Sequence, residues 1–352
     1  MGPSPRPARH AEGTEVTEAV VIEQPDRRAY IGGSDIAAIM GLGASYRGAQ
    51  ATPFTVWQRK VGEVSEPMDA ATELFLRRRK RWEGPIFEML REEFSAEIVA
   101  MNQRYRDEEH PFFACEIDFE WKDPETGEVN NGEVKTVSPF AYGERFGWGE
   151  AGTSDIPVNY AAQVMWGLGI KKRRACIVPA MVGLDNMIFY RVERDDETIA
   201  AMRAEALRFW NEHVLTRVPP DPQTMKDLNA LMLRKRGRPV ELDSGMAEKL
   251  KRLKIVRDEI AAFGIEEEHL AFDLGAYVLS RWGAPTDDQA AAGEEDALIR
   301  YDGATLATWK KQRNATLDQK QLRAELPDVA EKFTRETIFR VLRFIKPKST
   351  GG

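Results

Sequence analysis

Cysteine and histidine are scarce in this chain of 352 residues, which has two of the first and four of the second. Two cysteines cannot supply a self-contained four-cysteine iron–sulfur site. Cys115 and Cys176 both fall in expected strands, where reduced, buried thiols are expected. The histidines are scattered and give no metal-ligand spacing. No apolar stretch is long enough to span a bilayer and no signal-peptide pattern is present, so a cytoplasmic protein without membrane contact is expected. An excess of positive charge is also lacking: the net charge is −7 and the pI is near 5.5. That argues against indiscriminate coating of nucleic acid but leaves room for a local basic groove. No internal repeat is found. What the chain does have is 42% hydrophobic residues, enough to bury a sizeable core.

The most informative segment is a hairpin. Cys115-Glu116-Ile117-Asp118-Phe119-Glu120-Trp121 is followed by Asp123-Pro124-Glu125-Thr126-Gly127 and then by Glu128 to Thr136. Proline presets φ and glycine accepts a left-handed conformation, so the middle stretch is a turn. Centred between Glu125 and Thr126, it pairs residues whose numbers sum to 251 and sets Asp118 opposite Glu133. Strand alternation adds Lys135 to that face and turns Ile117, Phe119, Trp121 and Val134 the other way. Like charges directly opposite destabilise a sheet. Lys135 alone does not balance two acids; a divalent cation does. Taken singly, these residues have ordinary readings: a cross-strand Asp118–Lys135 ion pair, a solvated helix residue at Glu88, a helix-surface amide at Gln163.

Their order along the chain says more. Arg27 to Gly41 includes Gly32-Gly33-Ser34-Asp35; Trp82-Glu83-Gly84-Pro85-Ile86-Phe87-Glu88 follows, then Asp118 with Glu133-Val134-Lys135, then Ile156 to Val164. Together these resemble the YqaJ-type viral recombinase family, the phage-lambda-type alkaline exonucleases of the PD-(D/E)xK nuclease superfamily, over about residues 27 to 220. The resemblance implies an α/β fold with a restriction-endonuclease-like core, a mixed central sheet flanked by helices, and a smaller α+β C-terminal extension. It implies a Mg²⁺-dependent DNA exonuclease, with Mn²⁺ as a substitute, acting from duplex 5′ ends to leave 3′ overhangs. Asp118 would bridge the metals, Glu133 and the Val134 carbonyl would hold one of them, and Glu88 would complete the site. Lys135 would orient or help deprotonate the attacking water, with Gln163 in support. Arg27, seven residues before Ser34, matches an arginine and serine that bind the terminal phosphate, with Tyr160 also on the DNA side. Implied partners are double-stranded DNA ends and a single-strand annealing recombinase. A homo-oligomeric ring trimer and a phage or prophage origin in a bacterial cytoplasm are implied too.

One departure stands out: the family has Asp-Gly where this chain has Asp118-Phe119, which puts the local DNA path in question. Glu116, on the face of Asp118, would compete for metal or pair with Lys135. Two other readings stay open, a metal-dependent endonuclease of restriction or defence type and a non-catalytic DNA-end-binding adaptor.

For organisation, residues 1–26 read as a flexible arm and 27–218 as the nuclease domain. Pro-rich 219–240 reads as a linker, 241–346 as the extension and 347–352 as a tail. Helices are expected from Pro53, over Glu66–Arg81, through Glu88, over Asp155–Gly169 and over Glu197–Val214. Strands are expected near Ile98–Arg104, Phe112–Trp121, Glu128–Val137, Ala175–Met181 and Met187–Val192. In the extension, Met246, Leu250, Leu253, Val256 and Ile260 mark an amphipathic helix, with a second over Glu266–Arg281 and a third at Gln319–Glu325. Strands are expected there at Leu298–Tyr301, Thr305–Lys310 and Thr337–Lys346. Two basic runs, Arg77 to Arg81 and Lys171 to Arg174, are either solvated or DNA-tracking. Phe140, Tyr142, Phe146 and Trp148 either stack on bases or fill the core.

Overall fold

The turn residues close the hairpin on which the sheet is built. Asp123 Oδ1 accepts from the backbone N–H groups of Glu125 (2.9 Å) and Thr126 (3.2 Å). Gly127 takes the left-handed φ of +72° that few other residues tolerate. The computed structural model describes residues 20–21, 26–43, 45–46, 49–63, 70–94, 97–235, 237–281, 297–310, 314–334, 336, 338 and 341–344. The expected arm therefore lies largely, and the tail wholly, outside the described residues; of the strand expected at Thr337–Lys346, residues 338 and 341–344 are described and none is strand. The chain divides into two units, 1–231 and 232–352.

In the first unit, β5 (Ala114–Lys122) and β6 (Val129–Gly132) pair antiparallel, with Phe119 opposite Gly132 and Lys122 opposite Val129. This is the register expected from the turn. β4 (Glu97–Arg106) joins the outer edge of β5, and the two-residue β1 (Val20–Val21) joins β4, both antiparallel. On the other side, β6 and β7 (Lys135–Val137) run parallel to β8 (Ala175–Val182), which pairs antiparallel with β9 (Asn186–Glu193). The order is β1-β4-β5-β6/β7-β8-β9, the mixed sheet of the expected α/β core. A separate ribbon joins β2 (Ser45–Tyr46) to β3 (Ala49–Gln50). The single strand expected over Glu128–Val137 is broken at Glu133 and Val134. Its two pieces keep one register on β8, with Asn131 opposite Cys176 and Lys135 opposite Ala180.

The helices are α1 (Gly33–Ile39), α2 (Pro53–Lys60), α3 (Ala70–Lys80), α4 (Glu83–Phe94), α5 (Val158–Lys171) and α6 (Asp196–Phe209), the last continuing as a π turn over Trp210–Val214. α2 starts where Thr52 accepts from Thr55 N–H (3.2 Å) and Pro53 presets the first turn. α5 follows Pro157 and buries Trp166, whose indole N–H donates to Ala114 O at 3.0 Å and whose ring meets Phe113 edge-on at 4.8 Å. Burying such a side chain stabilises by about 2–3 kcal/mol, so α5 is a firm platform. Both thiols are free and buried.

Strict alternation along β5 fails at the position that matters. Cys115 and Ile117 enter the larger core, where Ile117 lies against α5 at Gly167. Phe119 and Trp121 instead join a second cluster with Ile86, Phe87 and Leu90 of α4, and Val134 packs against it. Ile117, Phe119 and Trp121 thus do not share one face. On the neighbouring β4, Asn102 has a positive φ of 51° and the register shifts between Ile98 and Ala100.

In the second unit, α8 (Ser244–Arg281) is one 38-residue helix rather than the expected two, and no residue of it is buried. Gly264 inside it breaks nothing. β10 (Ala297–Tyr301) and β11 (Ala304–Trp309) form a hairpin, followed by helices Gln319–Glu325 and Pro327–Phe333. α7 (Met225–Leu233) occupies part of the stretch read as linker.

Candidate active site

The break between β6 and β7 is where the site forms. Asp118 Oδ2 accepts from the Val134 N–H at 2.8 Å, filling a donor that the ladder no longer uses. Lys135 Nζ donates to Glu133 Oε1 at 2.6 Å and to Gln163 Oε1 at 3.0 Å, and Gln163 Nε2 donates to the same Glu133 oxygen at 2.6 Å. Gln163 comes from α5, as does Tyr160, whose ring centre lies 4.7 Å from Lys135 Nζ. The structure therefore brings Asp118, Glu133, Val134, Lys135, Tyr160 and Gln163 together. Lys135 pairs with Glu133, not with Asp118 across the strands.

Burial and the Glu133 charge push the Asp118 carboxyl well above the usual carboxylate range, against the pull of Lys135 and the Val134 N–H. Burial works against the charged form of Lys135, but Glu133 and Asp118 outweigh it and hold its pKa above the usual value. The lysine is thus an ammonium, and the two acids disfavour sharing a site as anions. Asp118 Oδ1 and Glu133 Oε2 have no hydrogen-bond partner among the described residues, while their other oxygens are taken. Hard oxygen donors with excess negative charge fit a divalent cation of the Mg²⁺ type. Among the described residues no three His, Cys, Asp or Glu side chains stand together as a preformed metal site.

Glu88 is not brought to this site. It is exposed and pairs with Arg91 at 2.6 Å on its own helix. The acid that reaches the site is Glu83, at the start of α4. Burial, and after it the nearby Glu116 and Glu133 charges, raise its pKa, with Lys80 opposing. It lines a cavity of about 230 Å³ with Leu76, Arg79, Lys80, Val134, Lys135, Thr136 and Tyr160. The signal was present in the helical phase. Glu83, Ile86, Phe87 and Leu90 recur at three and four residues and share one face, whereas Glu88 lies about 140° from Glu83 around the axis.

Arg27 and Ser34 do meet, with the guanidinium donating to Ser34 Oγ at 2.9 Å. Gly33, beside Ser34, packs so closely on Gln163 that a Cβ there would stand 3.0 Å from its side chain. This ties the Arg27–Ser34 pair to the cluster of Glu133, Lys135 and Gln163. Sequence reasoning missed what holds the segment in place. Lys60 is buried, pairs with Asp35 at 2.7 Å and donates to the Arg27 and Tyr30 carbonyls. Asp35 also accepts from Gly32 N–H and from Arg59 (3.1 Å each). Nothing local predicts a pair separated by 25 positions.

The remaining candidates are divided. Glu116 pairs with Arg104 (3.0 Å) and Lys80 (3.3 Å) rather than with Lys135. In the second basic run, Arg173 meets the buried Glu120 at 2.7 Å, Lys172 reaches Glu108 and Arg174 reaches Glu128, so the run serves the fold. Trp148 is buried among Tyr142, Tyr160 and Tyr190, while Phe140 is 86% exposed just beyond β7 and Phe146 is also exposed. Phe119 is buried against Phe87, its ring filling the space that Gly132 leaves across the hairpin. It therefore lies off any surface path.

Comparison with known proteins places this site in a family context. Residues 24–173 match the YqaJ-like viral recombinase domain, a span that contains Arg27, Ser34, Glu83, Asp118, Glu133, Lys135 and Gln163. The uncharacterized protein YqaJ of Bacillus subtilis (strain 168) is 25% identical over 329 residues, covering 90% of this chain and 91% of that protein. Among solved structures, an alkaline exonuclease (LHK-Exo) from Laribacter hongkongensis is 17% identical with a TM-score of 0.38, over 55% of this chain and 91% of its own. The same exonuclease in complex with dAMP gives 18% identity and a TM-score of 0.38.

Proposed function

Because residues 24–173 carry a YqaJ-like viral recombinase domain, we propose that this chain is a metal-dependent deoxyribonuclease that hydrolyses phosphodiesters from duplex 5′ ends and leaves 3′ overhangs. The observation that supports it best is the closed triangle of Glu133, Lys135 and Gln163 beside Asp118, whose carboxyl resists ionising without a cation. An ordinary surface ion pair needs neither a half-buried lysine nor a second, half-buried acid beside it.

Mg²⁺, or Mn²⁺ in its place, held by Asp118, Glu133, the Val134 carbonyl and Glu83 rather than Glu88, would supply Lewis acidity at the phosphoryl oxygens and a more acidic attacking water. Lys135 offers N–H groups and positive charge to the water and to the phosphorane. Gln163 fixes the lysine by holding the same Glu133 oxygen. Arg27 and Ser34 grip the terminal 5′-phosphate, the guanidinium fork and hydroxyl matching its oxygens. A 3′ overhang calls for a single-strand annealing recombinase as partner, in the cytoplasm of a bacterial host, and a ring of subunits would keep the enzyme on its strand.

Incubation of 5′-phosphorylated linear, 5′-hydroxyl linear and circular duplex with Mg²⁺ tests the proposal. It expects mononucleotides from linear DNA, fastest with the 5′-phosphate, and intact circles. Cut circles would show an endonuclease, and binding to ends without cutting would show an adaptor.

A further inference from the structure

The run Arg77-Arg78-Arg79-Lys80-Arg81 interrupts an acidic chain, and the reaction proposed above leaves it without a task. α3 buries none of its residues, so the run is not there to fill a core. Cations in a last helical turn do meet a favourable dipole. That accounts for charge near the end of α3 but not for the one arginine that is turned inward. Arg77, Arg78, Lys80 and Arg81 are exposed, whereas Arg79 is half-buried.

Arg79 Nε donates to Thr136 Oγ1 at 2.7 Å, and its guanidinium lies 5.1 Å from the centre of the Phe75 ring. Thr136 directly follows Lys135, and both line the cavity of about 230 Å³ with Arg79, Lys80 and Glu83. The other two cations of that cavity have acids: Lys135 pairs with Glu133, and Lys80 with Glu116. The partners of Arg79 among the described residues are a hydroxyl and a ring, neither of which cancels its charge. A guanidinium tethered through Nε keeps both terminal amino groups, the pair that binds two phosphate oxygens at once. A half-buried, oriented and charge-unbalanced guanidinium in the cavity of the catalytic lysine is a phosphate receptor by its chemistry.

We propose that Arg79, seated by Thr136, grips a backbone phosphate of the DNA strand within the active-site cavity, with Thr136 as its positioning residue. The proposal rests on the nuclease reading and gives that site a contact separate from the Arg27–Ser34 pair.

The test uses the full chain and a fluorescent, 5′-phosphorylated linear duplex with Mg²⁺. Binding is measured by anisotropy across a salt series in the Lys135→Ala background, where cutting is expected to stop, and KM and kcat are measured with Lys135 intact. Arg79→Gln should weaken binding and raise KM by about tenfold, and should lower the salt slope by about one. Arg77→Gln, on the exposed side, should change binding by less than about twofold. Arg79→Lys should recover the slope but not the affinity, because a point charge replaces a fork. Thr136→Val should raise KM and Thr136→Ser should restore it. Should Arg79→Gln fail to fold by circular dichroism, Arg79→Lys carries the affinity reading and Thr136→Val the KM reading. Wild-type affinity and slope in the Arg79 and Thr136 variants, on a duplex that the parent enzyme cuts, would overturn the clamp and leave the nuclease reading standing. An equal loss from Arg77→Gln would also overturn it, as diffuse charge. A parent enzyme that neither binds nor cuts duplex would remove both.

Discussion

At the scale of single residues, Glu83 stands beside the Asp118, Glu133 and Lys135 cluster and Glu88 does not. Glu83→Gln should cut Mg²⁺-dependent degradation of linear duplex by about 100-fold or more, while Glu88→Gln should stay within about twofold, since its partner is Arg91 on an exposed surface. Equal losses would return Glu88 to the site. Asp118→Asn keeps an oxygen for the Val134 N–H and removes one of two repelling acids. In EDTA at neutral pH its melting temperature should therefore lie above that of the parent, by roughly 2 °C or more. A clear drop would mean that repulsion at Asp118 is not a cost in the resting protein. Asp118, Glu133 and Lys135 were legible in the sequence because turn chemistry fixes hairpin register and register fixes neighbours, whereas Gln163, on α5, was singled out only by the family resemblance. Glu83 was not singled out because choosing between two acids on one helix requires its phase. Asp35–Lys60 was illegible because two helices distant in sequence make it.

At the scale of elements, the hairpin and the Arg27–Ser34 segment each depend on one unusual contact. Gly132 leaves room for the Phe119 ring, and a Cβ there would come within 2.1 Å of ring carbon. Gly132→Ala should destabilise by about 1–3 kcal/mol, read by urea denaturation; an unchanged midpoint would show that the ring can move aside. The segment from Arg27 to Asp35 hangs on Lys60. Lys60→Met should destabilise by about 3–5 kcal/mol and erase the preference for 5′-phosphorylated ends. A folded variant that keeps the preference would detach the lysine from phosphate binding. Burial works against the Asp35 anion, but Lys60 and Arg59 outweigh it and hold its pKa below 3.8. Such a group contributes stability that is full above its unfolded value and is lost as pH falls through the lowered folded one. Thermal scans below pH 3.8 should therefore lose stability in the parent and less of it in Asp35→Asn. The expected register of the hairpin held while the expected faces did not, because turn chemistry sets which residues pair whereas the faces were read from strict alternation, which β5 does not keep.

At the scale of the molecule, every candidate site residue lies in the first unit. Where that unit should be cut is set by Asp227, which is buried and accepts from Thr52, the N-cap of α2, and from the Gln223 and Thr224 N–H groups. A fragment ending at Leu233 should keep Mg²⁺-dependent cutting, whereas one ending at Asp221 should melt at lower temperature because it loses Asp227. An inactive but folded fragment ending at Leu233 would place part of the active site in the second unit. The architecture was legible from the alternation of strands and helices; the single long α8 was not, because one glycine does not decide between a helix and a break. The central claim is hydrolysis at the broken strand. Its most direct test is release of mononucleotides from 5′-phosphorylated linear duplex, with and without Mg²⁺, by the parent chain and by Asp118→Asn shown to be folded. The account predicts release by the parent with Mg²⁺ alone and none by the variant; release by the folded variant, or by the parent in EDTA, would contradict it.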